Sequence, residues 1–169
     1  MFYATIPRCI GDDRIRLRYL RISDSPFIND MLKDEDILKS SGLSTPTGLS
    51  WFVVWRWIKK IFTPAYCVES DSSIIGFIGL YNLELGKSAE MTLVIVDKNK
   101  RRMGYGASAF HILAQTLTRC HLTEKITVKV REDNHASIAF WRGLGFEDTH
   151  SLAAVKTMSL DLRNIKDIR

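Results

Sequence analysis

Arg101-Arg102-Met103-Gly104-Tyr105-Gly106 stands between a strongly apolar run, residues 89–96, and a segment of helical spacing that opens at Gly104. Glycine lets a chain turn without a Cβ clash and lets backbone approach a ligand closely. At a helix start the first N–H groups are unpaired, and the helix dipole favours negative charge there. Arg101 and Arg102, with Lys98 and Lys100 just upstream, add complementary charge. The stretch reads as a diphosphate-binding loop with a strand before it and a helix after it.

Downstream, Ala107, Phe110, Leu113, Ala114 and Leu117 give residues 104–120 the period of an amphipathic helix. Residues 125–130 form a strand, 136–144 a second short helix ended near Gly143 and Gly145, and 155–162 a closing strand. Upstream, 66–69 and 74–83 read as strands joined by the turn Ser70-Asp71-Ser72-Ser73. Residues 15–20 alternate apolar and basic side chains, the period of a half-buried strand. Ser23 or Asp24 can cap a following helix with Pro26 in its first turn and Phe27, Ile28, Met31 and Leu32 as its stripe. A polar loop covers 40–50, and 51–62 is a short, very apolar helix with Lys59 and Lys60 near its end. These elements predict one α/β domain over residues 1–169, a mixed sheet with helices on its faces.

Composition bounds the function. A chain of 169 residues with 46% apolar and 25% charged residues has the make-up of one ordinary globular domain. No run is long and apolar enough to span a membrane, and the start does not read as a signal peptide. Cys9, Cys67 and Cys120 are odd in number and far apart, which points to reduced thiols in a cytoplasm rather than a disulfide framework. They show no metal-ligand spacing with His111, His121, His135 or His150, so no metal is expected. The net charge of +5 suits an anionic ligand, and without a run of five like charges no nucleic-acid-binding arm is expected.

Gly104 to Ala109 also satisfies G-x-G-x-x-A, the dinucleotide fingerprint, with Glu124 twenty positions beyond Gly104. That fingerprint belongs directly after its strand, whereas a charged loop, 97–103, intervenes here. Its acidic residue should end the next strand, but Glu124 precedes one. Too little chain remains after Gly104 for the second half of a doubly wound domain.

Arg101-x-x-Gly104-x-Gly106 resembles the R/Q-x-x-G-x-G/A signature of the GNAT superfamily of N-acetyltransferases. Ile75-Gly76-Phe77-Ile78-Gly79-Leu80 is similar to that family's third strand and Ala89-Glu90-Met91 to the start of its fourth. Asn134 to Phe146 resembles its N-x-x-x-x-x-F-Y-x-x-x-G-F segment, and Arg16-Leu17-Arg18 with Asp24 the opening of its ribosomal-protein N-terminal acetyltransferase branch. The resemblance runs in order over about residues 15–162. It implies a mostly antiparallel, twisted sheet of six to seven strands with splayed fourth and fifth strands and about four helices.

It also implies acetyl-CoA as co-substrate, held by Arg101, Arg102, Met103, Gly104, Tyr105, Gly106 and Ala107. The pantetheine arm would lie between the splayed strands against backbone around Val94 and Val96, with the Val94 amide near the thioester oxygen as an oxyanion donor. Asn134, Phe140 and Trp141 complete the cofactor set, Asn134 being equally readable as a helix cap. Glu90 is the candidate general base. It is the only ionisable group inside its apolar strand, and it lies eleven positions before Arg101, the offset used by the histone acetyltransferase branch. Burial would raise its pKa toward a useful value, while a plain strand-end carboxylate is the competing reading. Trp141 stands where many relatives carry a tyrosine acid, and an indole is no practical acid. That leaves Ser137, a water or the acceptor amine to protonate the thiolate.

The implied function is acetyl transfer to a primary amine by direct attack on the thioester, with a protein α-amino group, a polyamine or an aminoglycoside as acceptor classes. A CoA-binding module of the same fold that has lost turnover is the alternative. Residues 24–62 would border the acceptor. Asp34, Glu35 and Asp36 read as a solvated helix end before an amine-attracting cluster. Trp51, Trp55 and Trp57 with Phe52 and Phe62 suit core packing, an acceptor pocket or a homodimer contact ahead of a membrane surface.

Overall fold

The computed structural model describes residues 6–35, 37 and 64–164. Eight strands form one sheet in the order β1-β2-β3-β4-β5-β6-β8-β7. They are β1 (Cys9–Gly11), β2 (Arg16–Tyr19), β3 (Ala65–Ser70), β4 (Ser73–Glu84), β5 (Ser88–Ile95), β6 (Lys125–Arg131), β7 (Glu147–Leu152) and β8 (Val155–Asp161). Among the described residues three α-helices accompany them: α1 (Ser25–Lys33), α2 (Tyr105–Arg119) and α3 (His135–Gly143). The expected helix over 51–62, its tryptophans, the 40–50 loop and Asp36 lie outside the described residues.

Every neighbouring strand pair is antiparallel except β5 and β6. The count exceeds the six to seven strands expected, because two strands carry no apolar alternation. β1 has only three residues, and β7 is exposed at all six positions. The turn at Asp71 and Ser72 is as anticipated, with φ of 51° and 63° at the two residues, the left-handed pair that a tight hairpin requires.

The sheet buries both faces, so its strands alternate between two cores. Tyr66 and Val68 of β3 with Ala89 and Met91 of β5 face α2 and α3, where Phe110, Leu113, Ala114 and Leu117 are almost fully enclosed. Ala65, Cys67, Phe77 and Val94 face the other way, against Ile28, Met31 and Leu32 of α1. Each fully buried side chain of this size stabilises by about 1.5–3 kcal/mol. The α2 stripe is the predicted one apart from Ala107, which is only half-buried and turns to the cleft described below.

Polar contacts pin α1 to the sheet. Asp24 does not cap α1 with its side chain. Its carboxylate instead accepts from Arg18 Nη1 at 2.8 Å, Arg18 Nη2 at 2.9 Å and the Arg21 amide at 2.7 Å. Arg18 also donates to Glu69 Oε1 at 2.5 Å, and Arg16 to Glu69 Oε2 at 2.7 Å. Burial pushes both carboxyls up, but the bonds from Arg18 and Arg16 outweigh it and hold both below the ordinary carboxylate range. A carboxyl depressed in the folded state contributes stability above its unfolded pKa and loses it as pH falls through the folded value. Arg18→Met strips Asp24 of its ion pair and leaves Glu69 to Arg16 alone, and should cost about 3 kcal/mol at neutral pH in urea unfolding. The gap between variant and wild type should narrow below about pH 4, where the carboxylates take up protons.

Candidate active site

The parallel pair β5 and β6 is joined at only three rungs: Ser88 with Lys125, Ala89 with Ile126 and Glu90 with Thr127. Beyond Glu90, β5 stays with β4 while β6 continues along β8 for its full length. The two strands therefore fork, and a cleft of about 620 Å³ opens there. Leu93, Val94 and Ile95 form one wall, and Asn134, Ala136, Ser137 and Phe140 the other. The arginine- and glycine-rich loop, from Lys100 through Arg101, Arg102, Gly104 and Gly106 to Ala107, closes one end, and Ile37 also lines it.

Backbone direction at the fork follows from the β4–β5 ladder. The Val96 amide donates to Ile75 O at 2.8 Å, so Val96 turns its peptide groups toward β4. By the two-residue alternation of a strand Val94 does the same, and Leu93 and Ile95 present theirs to the open edge. Val94 lines the cleft while Val96 does not, so the cleft-facing backbone is that of Leu93 and Ile95 rather than of Val94 and Val96.

The loop is built by its own short contacts. Asp97 Oδ1 accepts from the Asn99 amide at 2.9 Å and starts a 3-10 turn over Lys98–Lys100. Arg101 Nε donates to Ile95 O at 2.8 Å, tying the loop back to β5. Left-handed backbone at Arg102 (φ 61°) and Gly104 (φ 84°) then swings the chain into α2, with Gly104 as its N-cap. Gly106 answers a close approach, since a Cβ there would lie 3.3 Å from Phe140 Cζ of α3.

Met103 is half-exposed and points away from the cleft, and Tyr105 is buried beneath the loop. The Tyr105 ring lies between Arg14, whose guanidinium carbon is 4.3 Å from the ring centroid, and Lys100 at 5.2 Å. Ser70, Lys100 and Arg14 hold its phenol below the ordinary range. Arg14 also donates to Met103 O, so the β1–β2 loop braces the arginine- and glycine-rich loop from behind. No sequence spacing could have shown Arg14, which lies 89 positions from its acceptor.

On the far wall Asn134 Oδ1 accepts from the Ser137 amide at 3.1 Å, so Asn134 caps α3. Ser137 carries the only hydroxyl among the described cleft residues. Trp141 does not reach the cleft. It is 4% exposed and packs edge-on against Phe110, Phe140 and Phe146, because the helical period that turns Phe140 outward turns Trp141 into the core.

Glu90 sits at the last paired rung, just before the fork opens, and is not among the residues that line the cleft. Its Oε1 accepts from Asn82 Nδ2 at 2.8 Å, and Lys129 Nζ of β6 stands 2.8 Å from Oε2 in a contact not aligned as a directed hydrogen bond. The expectation of a raised pKa is overturned. Burial does push the carboxyl up, but Lys129 and Asn82 outweigh it and hold Glu90 below the ordinary range. Tyr81, opposite Glu90 in register, is pushed up to about 12 by burial and by the Glu90 charge. Asp34 accepts from the Ile37 amide at 3.2 Å, a local turn contact in keeping with the helix-end reading. Among the described residues no group of His, Cys, Asp and Glu could hold a metal, and no helix is long and apolar enough to cross a membrane.

The family model described as the acetyltransferase (GNAT) family matches residues 34–146. The chain belongs to this acetyltransferase family, whose acetyl donor is acetyl-CoA. No curated protein sequence matches it. Among solved structures it is similar to a spermidine N-acetyltransferase from Vibrio cholerae, in complex with CoA and spermine, at 18% identity and a TM-score of 0.78, covering 90% of this chain and 98% of that one. An acetyl transferase from Salmonella typhimurium that modifies the N-terminal serine of a 50S ribosomal subunit protein gives 18% and 0.72, with 92% and 98% covered. RimJ of Mycobacterium smegmatis, in complex with CoA-disulfide, gives 18% and 0.74, with 95% and 90% covered.

Gly104 is the most exposing position for a test of the loop. Its φ of 84° is strained for any side chain, and a Cβ would stand 3.2 Å from Arg14 Nη1. Gly104→Val should abolish the thermal stabilisation that acetyl-CoA gives the wild type, read by a melting titration. An unchanged shift would remove the loop from the binding site.

Proposed function

We propose that this chain transfers the acetyl group of acetyl-CoA to a primary amine by direct attack of the amine on the thioester. The observation that carries the reading is the fork of β5 and β6, with the arginine- and glycine-rich loop at one end of its cleft and Glu90 on the last rung before it opens. The diphosphate sits against the amides of the loop from Arg102 to Ala107, neutralised by Arg101, Arg102 and Lys100. The pantetheine arm threads the fork and bonds to the open-edge peptide groups of Leu93 and Ile95. A backbone N–H of this edge takes the thioester oxygen as charge develops on it.

Glu90 receives the acceptor. Its carboxyl is held below the ordinary range and is therefore ionised at neutral pH, ready to pair with an ammonium and to take its proton directly or through water. An amine near pKa ~10 arrives protonated, so it must displace Lys129 from Glu90 before it can lose that proton. With Trp141 in the core, Ser137 is the protic side chain left to reprotonate the thiolate. Its hydroxyl makes no hydrogen bond among the described residues. The inward Trp141 also favours a second reading, a CoA-binding module without turnover. Release of free thiol with an amine separates the two.

Glu90→Gln should lower kcat by about 10²-fold with the Kd for acetyl-CoA unchanged. Lys129→Met, which frees Glu90, should lower the KM for the acceptor; a KM that rises with loss of stability would make Lys129 a structural partner only. Because Glu90 stays ionised, kcat/KM should rise with pH up to the acceptor's own pKa with no carboxylate limb above about pH 5. A panel of N-terminal peptides, polyamines and aminoglycosides assayed by thiol release identifies the acceptor class, and no thiol release with any amine would leave the binding module.

A further inference from the structure

A second concavity, of about 610 Å³, opens at the β1–β2–β3 side of the sheet. Arg8, Arg16, Arg18 and Arg21 line it with Glu69 and Cys9, and none of its lining residues belongs to the cofactor cleft. Two carboxylates stand near these four guanidinium groups, Glu69 and, behind Arg18, Asp24. Both are already filled. Glu69 Oε2 takes two bonds from Arg16 and Oε1 one from Arg18, while Asp24 takes two from Arg18 and one from the Arg21 amide. Neither Arg8 nor the Arg21 guanidinium has an ion-pair partner among the described residues. Among the described residues the pocket therefore keeps an excess of two positive charges.

We propose that this arginine pocket binds a small polyanion carrying at least two oxyanion groups, of the phosphate-ester or polycarboxylate class, at a site separate from the cofactor cleft. Three features support it. The charge is concentrated in a concavity, where field lines focus and counter-ions gather. Glu69 and Asp24 hold Arg16 and Arg18 as a fixed floor and take up most of their donors, so Arg8 and Arg21 are the guanidinium forks left to match oxyanions in pairs. The volume admits a ligand larger than one inorganic ion. A cationic acceptor amine would be repelled, which separates this ligand from the one at Glu90.

Cys9 supplies the readout. It lines the pocket and is exposed, whereas Cys67 is buried and Cys120 half-buried. Full-length protein with one equivalent of acetyl-CoA, which fills the cofactor cleft without an excess of phosphate ester, is alkylated with neutral iodoacetamide and followed peptide by peptide. Pyrophosphate and citrate are the probes, with chloride at matched ionic strength as control. Either probe at ten times its Kd should slow Cys9 alkylation by about tenfold, with the Cys120 rate unchanged. Protection by pyrophosphate alone assigns the site to phosphate esters, and by citrate alone to polycarboxylates. In the surface variant Arg8→Gln/Arg21→Gln the protecting concentration should rise by about a hundredfold, the weight of two lost charge-assisted bonds. Cys9 rates equal in probe and chloride, or protection undiminished in the double variant, would overturn the proposal.

Discussion

The site rests on a pairing that stops early. β5 and β6 are the one parallel pair in the sheet, and they hold together for three rungs before each strand follows its other neighbour. A ladder that continued would close the sheet and leave no edge. Because it ends at Glu90, peptide groups in the middle of a domain are left without a strand partner, which a fold tolerates only where something else satisfies them. The Arg101 side chain takes the last of them, the Ile95 carbonyl, and the rest face the cleft. The loop, the cap of α3 and the position of Glu90 all follow from where that pairing ends.

Charge around this frame is arranged as two centres of different character. Asp24, Glu69, Arg16 and Arg18 form a network with buried carboxylates that joins α1 to β2 and β3. Glu90 and Lys129 form a looser pair, with Lys129 half-exposed and able to leave. Removing a member of the first leaves a buried charge without a partner, whereas the second can exchange its cation for another. The first suits a structural joint, and the second has the exchangeable cation that the proposed acceptor role of Glu90 requires.

Much of the architecture was legible in the sequence because it is written in periods. Helices α2 and α3 and strands β2 to β6 and β8 fall within a residue or two of their expected bounds, since each buries a face with the spacing of its own geometry. Strand β7 has no buried face and so left no signal. In the cleft, Arg101, Gly104, Gly106, Ala107, Asn134, Ser137 and Phe140 were found through motif order, and they do converge. Arg14 and Lys129 were missed because their partners are distant in the chain, and no local pattern encodes such meetings. Trp141 was misplaced for a subtler reason. The motif gives a residue's place along the helix, and only packing against Phe110 and Phe146 decides which way it turns.

One consequence follows from how little of the fork is made by side chains. Its wall is main chain, and the side chains of Leu93 and Val94 go to two different cores. Such a wall survives almost any apolar exchange along β5, so selection can rewrite the strand without closing the cleft. Structures under a fifth identical to this chain share its fold over nine-tenths of its length, as a cleft walled by main chain allows.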